Sequence, residues 1–218
     1  MLTNIVIEEN KNHFIELINS IDRVGFNKSA LLNMLEQSDF YTAPASTKYH
    51  NDMPGGLCDH CIKVYNFLCT LNDTLNLGLD ENSMKIVGLL HDMSKIGLYT
   101  KAARNVKHYC TQEEYEADPK AYKAFDELGN YKWVAEQYYT VVDDNAKFIY
   151  GTHEETCEYL AHCYVPLKRD ESIAILHHHG KFGIEQPYDN IYVVFRQYPL
   201  AYALFMADTT SMVNEEVI

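Results

Sequence analysis

The sequence predicts an all-α fold, a helical bundle with one Tyr-rich insertion able to form a short β-hairpin. Three observations carry this prediction. Apolar residues recur three and four apart through most of the chain, which is the period of a helix face. The stretch from Leu98 to Tyr150 breaks that period and is rich in tyrosine and charge instead. Glycine and proline mark the main breaks between periodic segments. With 218 residues and 47% hydrophobic composition, the chain can bury a core, and its length suits one domain with an insertion.

"NHFIELINSIDRVGF" and "NKSALLNMLEQSDFY" read as two amphipathic helices broken near Gly25. "TAPASTKYHNDMPGG" reads as a loop, punctuated by prolines and paired glycines. "LCDHCIKVYNFLCTLNDTL" reads as a long helix with Leu57, Cys61, Val64, Leu68 and Leu71 on one stripe. "DENSMKIVGLLHD" is the next helix, with Asp80 or Ser83 near its start. Within the insertion, "GNYKWVAEQYYTVVDD" has the alternation and β-propensity of a short hairpin. Helical period resumes in "HEETCEYLAHCY", in "RDESIAILHHH" and in "YPLAYALFMADTTSMV".

The formal net charge is −13, which disfavours long nucleic acid as a partner because phosphate neutralisation needs Lys and Arg. A small local basic pocket for one phosphate stays open. No run of apolar residues is long enough to span a membrane. "MLTNIVIEENKNHF" lacks the basic and apolar regions of a signal peptide. Six cysteines are then most simply reduced thiols in a cytoplasmic protein. "CDHC", Cys58–Cys61, resembles half a zinc site, but no second pair follows at the spacing of a zinc finger. Two small buried side chains are the plainer reading there.

Ten histidines are many for this length, and their placement is uneven. His60 lies on the apolar stripe between Leu57 and Val64. Alone, it reads as a core histidine bonded to a carbonyl. Asp208 lies on the stripe of Ala201, Leu204 and Phe205, and a buried carboxylate needs a cation or a strong set of hydrogen bonds. The nearby Arg196 precedes the helix-breaking Pro199; a metal ion serves as well. His91 and Asp92 are neighbours near a helix end, where adjacent side chains can converge on one ion. Together His60, His91, Asp92 and Asp208 offer two imidazoles and two carboxylates. That set suits Mn, Fe, Ni, Co or Zn, and Mg less well. His153 aligns with Cys157 and Leu160 at the start of a helix, and His178 and His179 follow Ala174 and Ile175 at helical spacing. These three histidines can hold a second ion, or "HHHG" can simply end a helix.

These motifs resemble the HD-domain superfamily of metal-dependent phosphohydrolases. The order His60, His91–Asp92, Asp208 is similar to its H…HD…D signature. "LLHDMSKIG" resembles "LLHDIGKI", with Ser94 where glycine is usual. "HNDMPGGLCDH" is similar to the "HHAYxGGLLEH" segment of the HD-domain 3′-to-5′ exoribonucleases, with Asn51 replacing the second histidine. "HHG" and "MADTTSM" match the later blocks "HHG" and "ADxxSA". A closer likeness is to small single-domain HD hydrolases of gut bacteria and their phages, through "RNVK", "NYKWVAEQYYTVVDD" and "GTHEET". In the last block, which resembles "GHGEKS", His153 takes the histidine position and Glu155 the glutamate. The likeness covers Lys48 to Met212. Relatives of this kind often read "HMG", which makes His178 a firmer match than His179.

The resemblance implies one HD domain over 1–218. N-terminal helices would occupy 1–47, a metal-binding core 48–98 and 151–213, and an insertion 99–150. It implies metal ligation by His60, His91, Asp92 and Asp208. In the dinuclear branches a second ion uses positions matching His153, His178 and His179, with Asp92 bridging. The expected activity is hydrolysis of a nucleotide or small phosphoester by metal-activated water, as a phosphatase, triphosphohydrolase or phosphodiesterase. Lys95 is placed to stabilise phosphoryl charge, and Arg104, Lys107 and Lys181 are candidates to hold phosphate or ribose, with ordinary solvated charges an equal reading. Tyr109, Tyr131 and Trp133 can stack a base or form a dimer contact, so a homo-oligomer stays open. Two rival readings remain: a mixed-valent di-iron oxygenase on the same ligands, and a non-catalytic scaffold that senses a nucleotide.

Overall fold

The computed structural model describes residues 2–48, 51–143, 151–180 and 190–217. The chain divides into two compact units: one of residues 1–99 with 141–218, the other Thr100–Thr140.

The first unit is helical. Helix α1 (Asn4–Ser20) begins where the Thr3 hydroxyl accepts from the Val6 N–H, and it buries Phe14 and Ile18. Helix α2 (Lys28–Gln37) is capped in the same way by Asn27 and buries Leu31 and Leu35. Helix α3 (Gly56–Leu75) starts after Gly55, whose φ of 81° suits glycine, and buries its first seven residues, His60 among them. Helix α4 (Glu81–Leu90) is capped by Asp80 and buried from Ser83 to its end. Gly88 permits the close approach of α4 to α3: a Cβ there would come within 3.0 Å of the Tyr65 Cα.

Helix α6 (His153–His162) opens with a reciprocal cap between Thr152 and Glu155. Helices α7 (Arg169–Leu176), α8 (Ile191–Gln197) and α9 (Pro199–Val217) complete the unit. Helix α3 packs against α4 and α9, and α9 against α7 and α8. The apolar core runs through Phe14, Phe40, Leu57, Leu68, Leu90 and Leu204.

The second unit overturns the all-α prediction. It carries a three-stranded antiparallel sheet in the order β1 (Tyr99–Tyr109), β3 (Gly129–Val141), β2 (Ala124–Asp126). Helix still accounts for 55% of the structure, so the class is mixed with helices dominating. The predicted hairpin inside "GNYKWVAEQYYTVVDD" does not form, because residues 129–141 make one strand. The tight turn precedes it, with Asp126 opposite Gly129 and Ala124 opposite Tyr131. The other partner, β1, is "YTKAARNVKHY", whose run of basic and small residues hides its strand character. A short helix, α5 (Gln112–Ala117), follows β1, with a Thr111–Glu114 capping box. Lys107 lies 4.3 Å above the Tyr131 ring, and Tyr131 meets Trp133 edge-on.

Candidate metal centre

Helix α4 stops at Leu90. His91 keeps helical dihedrals as its C-cap, whereas Asp92 turns to φ −111°, ψ 17° and opens a 3₁₀ turn over Met93–Lys95. This change of backbone lets neighbouring side chains converge. Nε2 of His91 lies 3.6 Å from Oδ2 of Asp92. Helix α3 brings Nε2 of His60 to 3.3 Å from Nε2 of His91 and 3.2 Å from Oδ2 of Asp92. Helix α9 adds Asp208, whose Oδ1 stands 3.2 Å from the same His60 nitrogen. His60, His91, Asp92 and Asp208 are all at most 3% exposed.

A second group of imidazoles stands beside the first. Nε2 of His153, at the start of α6, is 3.0 Å from Oδ1 of Asp92 and 3.2 Å from Nε2 of His178. The rings of His153 and His179 stack at 4.9 Å, and Nε2 of His179 is 3.8 Å from Oδ2 of Asp208. Each aspartate therefore turns one oxygen to His60 and His91 and the other to the second group. His177 faces elsewhere, its Nδ1 bonded to the Ile173 carbonyl at 2.9 Å.

The outer ring nitrogens fix the tautomers. A carbonyl only accepts, so Nδ1–H of His91 donates to Gly88 at 3.0 Å and that of His178 to Ile175 at 2.6 Å. His179 donates from Nδ1 to the Glu154 carboxylate at 2.8 Å. The Ser211 hydroxyl gives its hydrogen to the Asp208 carbonyl at 2.8 Å, so at 3.1 Å it accepts from Nδ1–H of His60. Nδ1 of His153 is held by Ser94 Oγ at 2.5 Å. Rings so anchored turn Nε2 toward one another and toward the carboxylates. Two unprotonated Nε2 atoms facing at 3.2–3.3 Å would repel, so each pair needs a proton or a metal ion between its nitrogens. Two ligands about 2.1 Å from one ion, at angles near 90–110°, stand about 3.0–3.4 Å apart, so the spacing suits a bound metal. Oδ1 of Asp92 is buried, with Nε2 of His153 3.0 Å away. Three groups of side chains here can hold a metal ion: His60, His91 and Asp208; His153, His178 and His179; Asp92, His153 and Cys157.

Protons offset part of this repulsion. Burial opposes charge on His60, but its bonds to Asp208 and Asp92 outweigh burial and push its pKa up to about 9. His153 is pushed up to about 10 against burial, by Cys157 and Asp92. For His91 burial wins and its pKa falls to about 4; burial also holds His178 well below its ordinary value. Burial works against charge on Asp92, yet Lys95 and the imidazoles keep it well below the usual carboxylate range. Lys95 reaches back from the 3₁₀ turn, Nζ to Oδ2 of Asp92 at 2.7 Å, and the carboxylate raises its pKa despite burial.

All seven predicted ligands thus come together, with Lys95 beside them. The other basic candidates are Arg104, Lys107 and Lys181. In the second unit Arg104 pairs with Glu136 at 2.9 Å and Lys107 with Asp126. Lys181 lies outside the described residues. Sequence reasoning missed Glu154, Cys157 and Ser211 as partners of the ligands. It assigned the family glutamate to Glu155, which caps α6 and is exposed, whereas Glu154 is 2% exposed and orients His179. Comparison with protein-family models, with curated proteins and with solved structures finds no match.

Proposed function

We propose that the chain is a metal-dependent phosphohydrolase, with the ligand order of the HD superfamily, acting on a nucleotide or another small phosphoester. One observation carries the reading: anchored imidazoles from α3, α4, α6 and α7 present Nε2 atoms to two buried, bridging carboxylates. His60, His91, Asp92 and Asp208 would hold one ion. His153, His178 and His179, with the far oxygens of Asp92 and Asp208, would hold a second. A divalent ion there lowers the pKa of a water and polarises a phosphoryl oxygen.

The protein's own groups do the rest. Lys95 remains cationic and offers its charge to a phosphoryl oxygen at the edge of the ligand cluster. Asp92 orients that ammonium through Oδ2. Glu154 and Ser211 hold His179 and His60 in the tautomer that donates from Nδ1, and Ser94 holds the His153 ring in place. The net charge of −13 favours a small phosphoester over a long polyanion.

The test is phosphate or nucleoside release from a nucleotide panel, after stripping the protein and reloading it with Mn, Co, Ni, Zn or Mg. Turnover should depend on the metal, and Asp92→Ala should lower it by about a hundredfold or more together with metal content. Absence of turnover across the panel with metal demonstrably bound would sink the proposal.

A further inference from the structure

Cys157 follows His153 by one helical turn on α6, so both side chains share a face. The thiol is fully buried. Its Sγ accepts the backbone N–H of Ser94 at 3.4 Å, a donor at the start of a 3₁₀ turn that has no acceptor within that turn. Sγ also stands 3.9 Å from Nε2 of His153. An ion about 2.1 Å from nitrogen and 2.3 Å from sulfur, with an angle of about 125° between them, sets the two about 3.9 Å apart. The third corner is Oδ1 of Asp92, buried and 3.0 Å from the same His153 nitrogen. Ligand atoms of Asp92, His153 and Cys157 all lie within 4.8 Å of one another.

We infer that Cys157 is a thiolate ligand of the second ion, hereafter the outer ion, together with His153 and Asp92. This rests on the metal reading above and adds a sulfur donor to a set otherwise made of nitrogen and oxygen. The thiol proton leaves to solvent as the ion binds, and no electron moves. A soft donor tips the outer position toward Zn, Co or Fe and away from Mg and Mn. A cysteine serving only as small core filler would leave metal preference unchanged.

Cobalt(II) is the probe. Stripped protein titrated with Co²⁺ should show visible ligand-field bands and, with the outer position filled, a near-ultraviolet sulfur-to-cobalt charge-transfer band. Cys157→Ala should abolish the charge-transfer band and keep the ligand-field bands. Its Zn²⁺ affinity should fall roughly tenfold or more while Mn²⁺ affinity barely changes. Ligand-field bands without charge transfer in the natural protein overturn the inference and leave the metal centre standing. So does a charge-transfer band that survives in the variant. Failure to bind cobalt at all overturns both. If Cys157→Ala does not fold, Cys157→Ser takes its place. X-ray absorption of the zinc-loaded natural protein then decides the same question: sulfur near 2.3 Å with imidazole supports the ligand, and nitrogen and oxygen alone exclude it.

Discussion

The hydroxyl of Ser211 decides where the proton of His60 sits. It donates to the Asp208 carbonyl and so can only accept from Nδ1 of His60, which leaves Nε2 to face the carboxylates. With no ion present, a second proton on Nε2 of His60 faces Asp208 and Asp92, which is why its pKa rises to about 9; Cys157 and Asp92 push that of His153 to about 10. The sign follows. A raised imidazole pKa adds stability that is complete below its unfolded value of about 6.5 and is lost as pH climbs through 9 and 10. An incoming metal must displace those same protons. Metal uptake at pH 7 should therefore release protons, and apparent affinity should rise about tenfold per pH unit for each proton displaced. Calorimetry in two buffers of different ionisation enthalpy reads this directly; a buffer-independent enthalpy would count against the tautomers assigned above. His60 and Asp208 were legible in the sequence because a polar group on an apolar stripe demands an explanation. Ser211, Glu154 and Cys157 were not, because a serine or cysteine in a core, or one glutamate beside another, breaks no pattern.

At the scale of elements, the site depends on how α7 is held, since its C-terminal end carries His178 and His179. Arg23 makes a two-pronged bond to Glu171 near the start of α7, with N–O distances of 2.9 and 2.5 Å, and Glu171 is fully buried. Burial opposes charge on Glu171, but Arg23 and its other donors hold its pKa below the ordinary value. This contribution is present above a pH of about 4.5 and is lost as pH falls below it. Arg23→Ala leaves a buried carboxylate without its cation and should cost about 3–5 kcal/mol near neutral pH. The deficit should shrink in acid, where protonation removes the stranded charge. Denaturant melts of both proteins at pH 7 and pH 4.5 test this, and a pH-independent difference would rule the ion pair out as its source. Helical elements such as α3, α4 and α9 were readable because each carries its own apolar stripe. Strand β1 was not, because a strand gains its stability from a partner, here the distant β3, and its own pattern is weak.

For the whole molecule, the division into two units gives a prediction about what the metal centre needs. Every ligand and every ligand-orienting residue named here lies in residues 1–99 or 141–218. The apolar core likewise draws nothing from 100–140, where Tyr122 is the one buried apolar side chain among the described residues. The chain leaves and re-enters the helical unit at neighbouring points, since the Val142 N–H donates to the Leu98 carbonyl at 2.9 Å. Replacing Thr100–Thr140 with two glycines would close that gap as a tight hairpin turn. The shortened protein should unfold cooperatively and bind as many metal ions as the full chain. Loss of metal stoichiometry would mean that the sheet supports the ligands after all. Activity separates a further role: if Arg104 or Lys107 holds the phosphoester, KM should rise in the shortened protein, and Arg104→Ala or Lys107→Ala in the full chain should reproduce part of that rise. If turnover and KM are unchanged, those cations belong to their partners Glu136 and Asp126 alone.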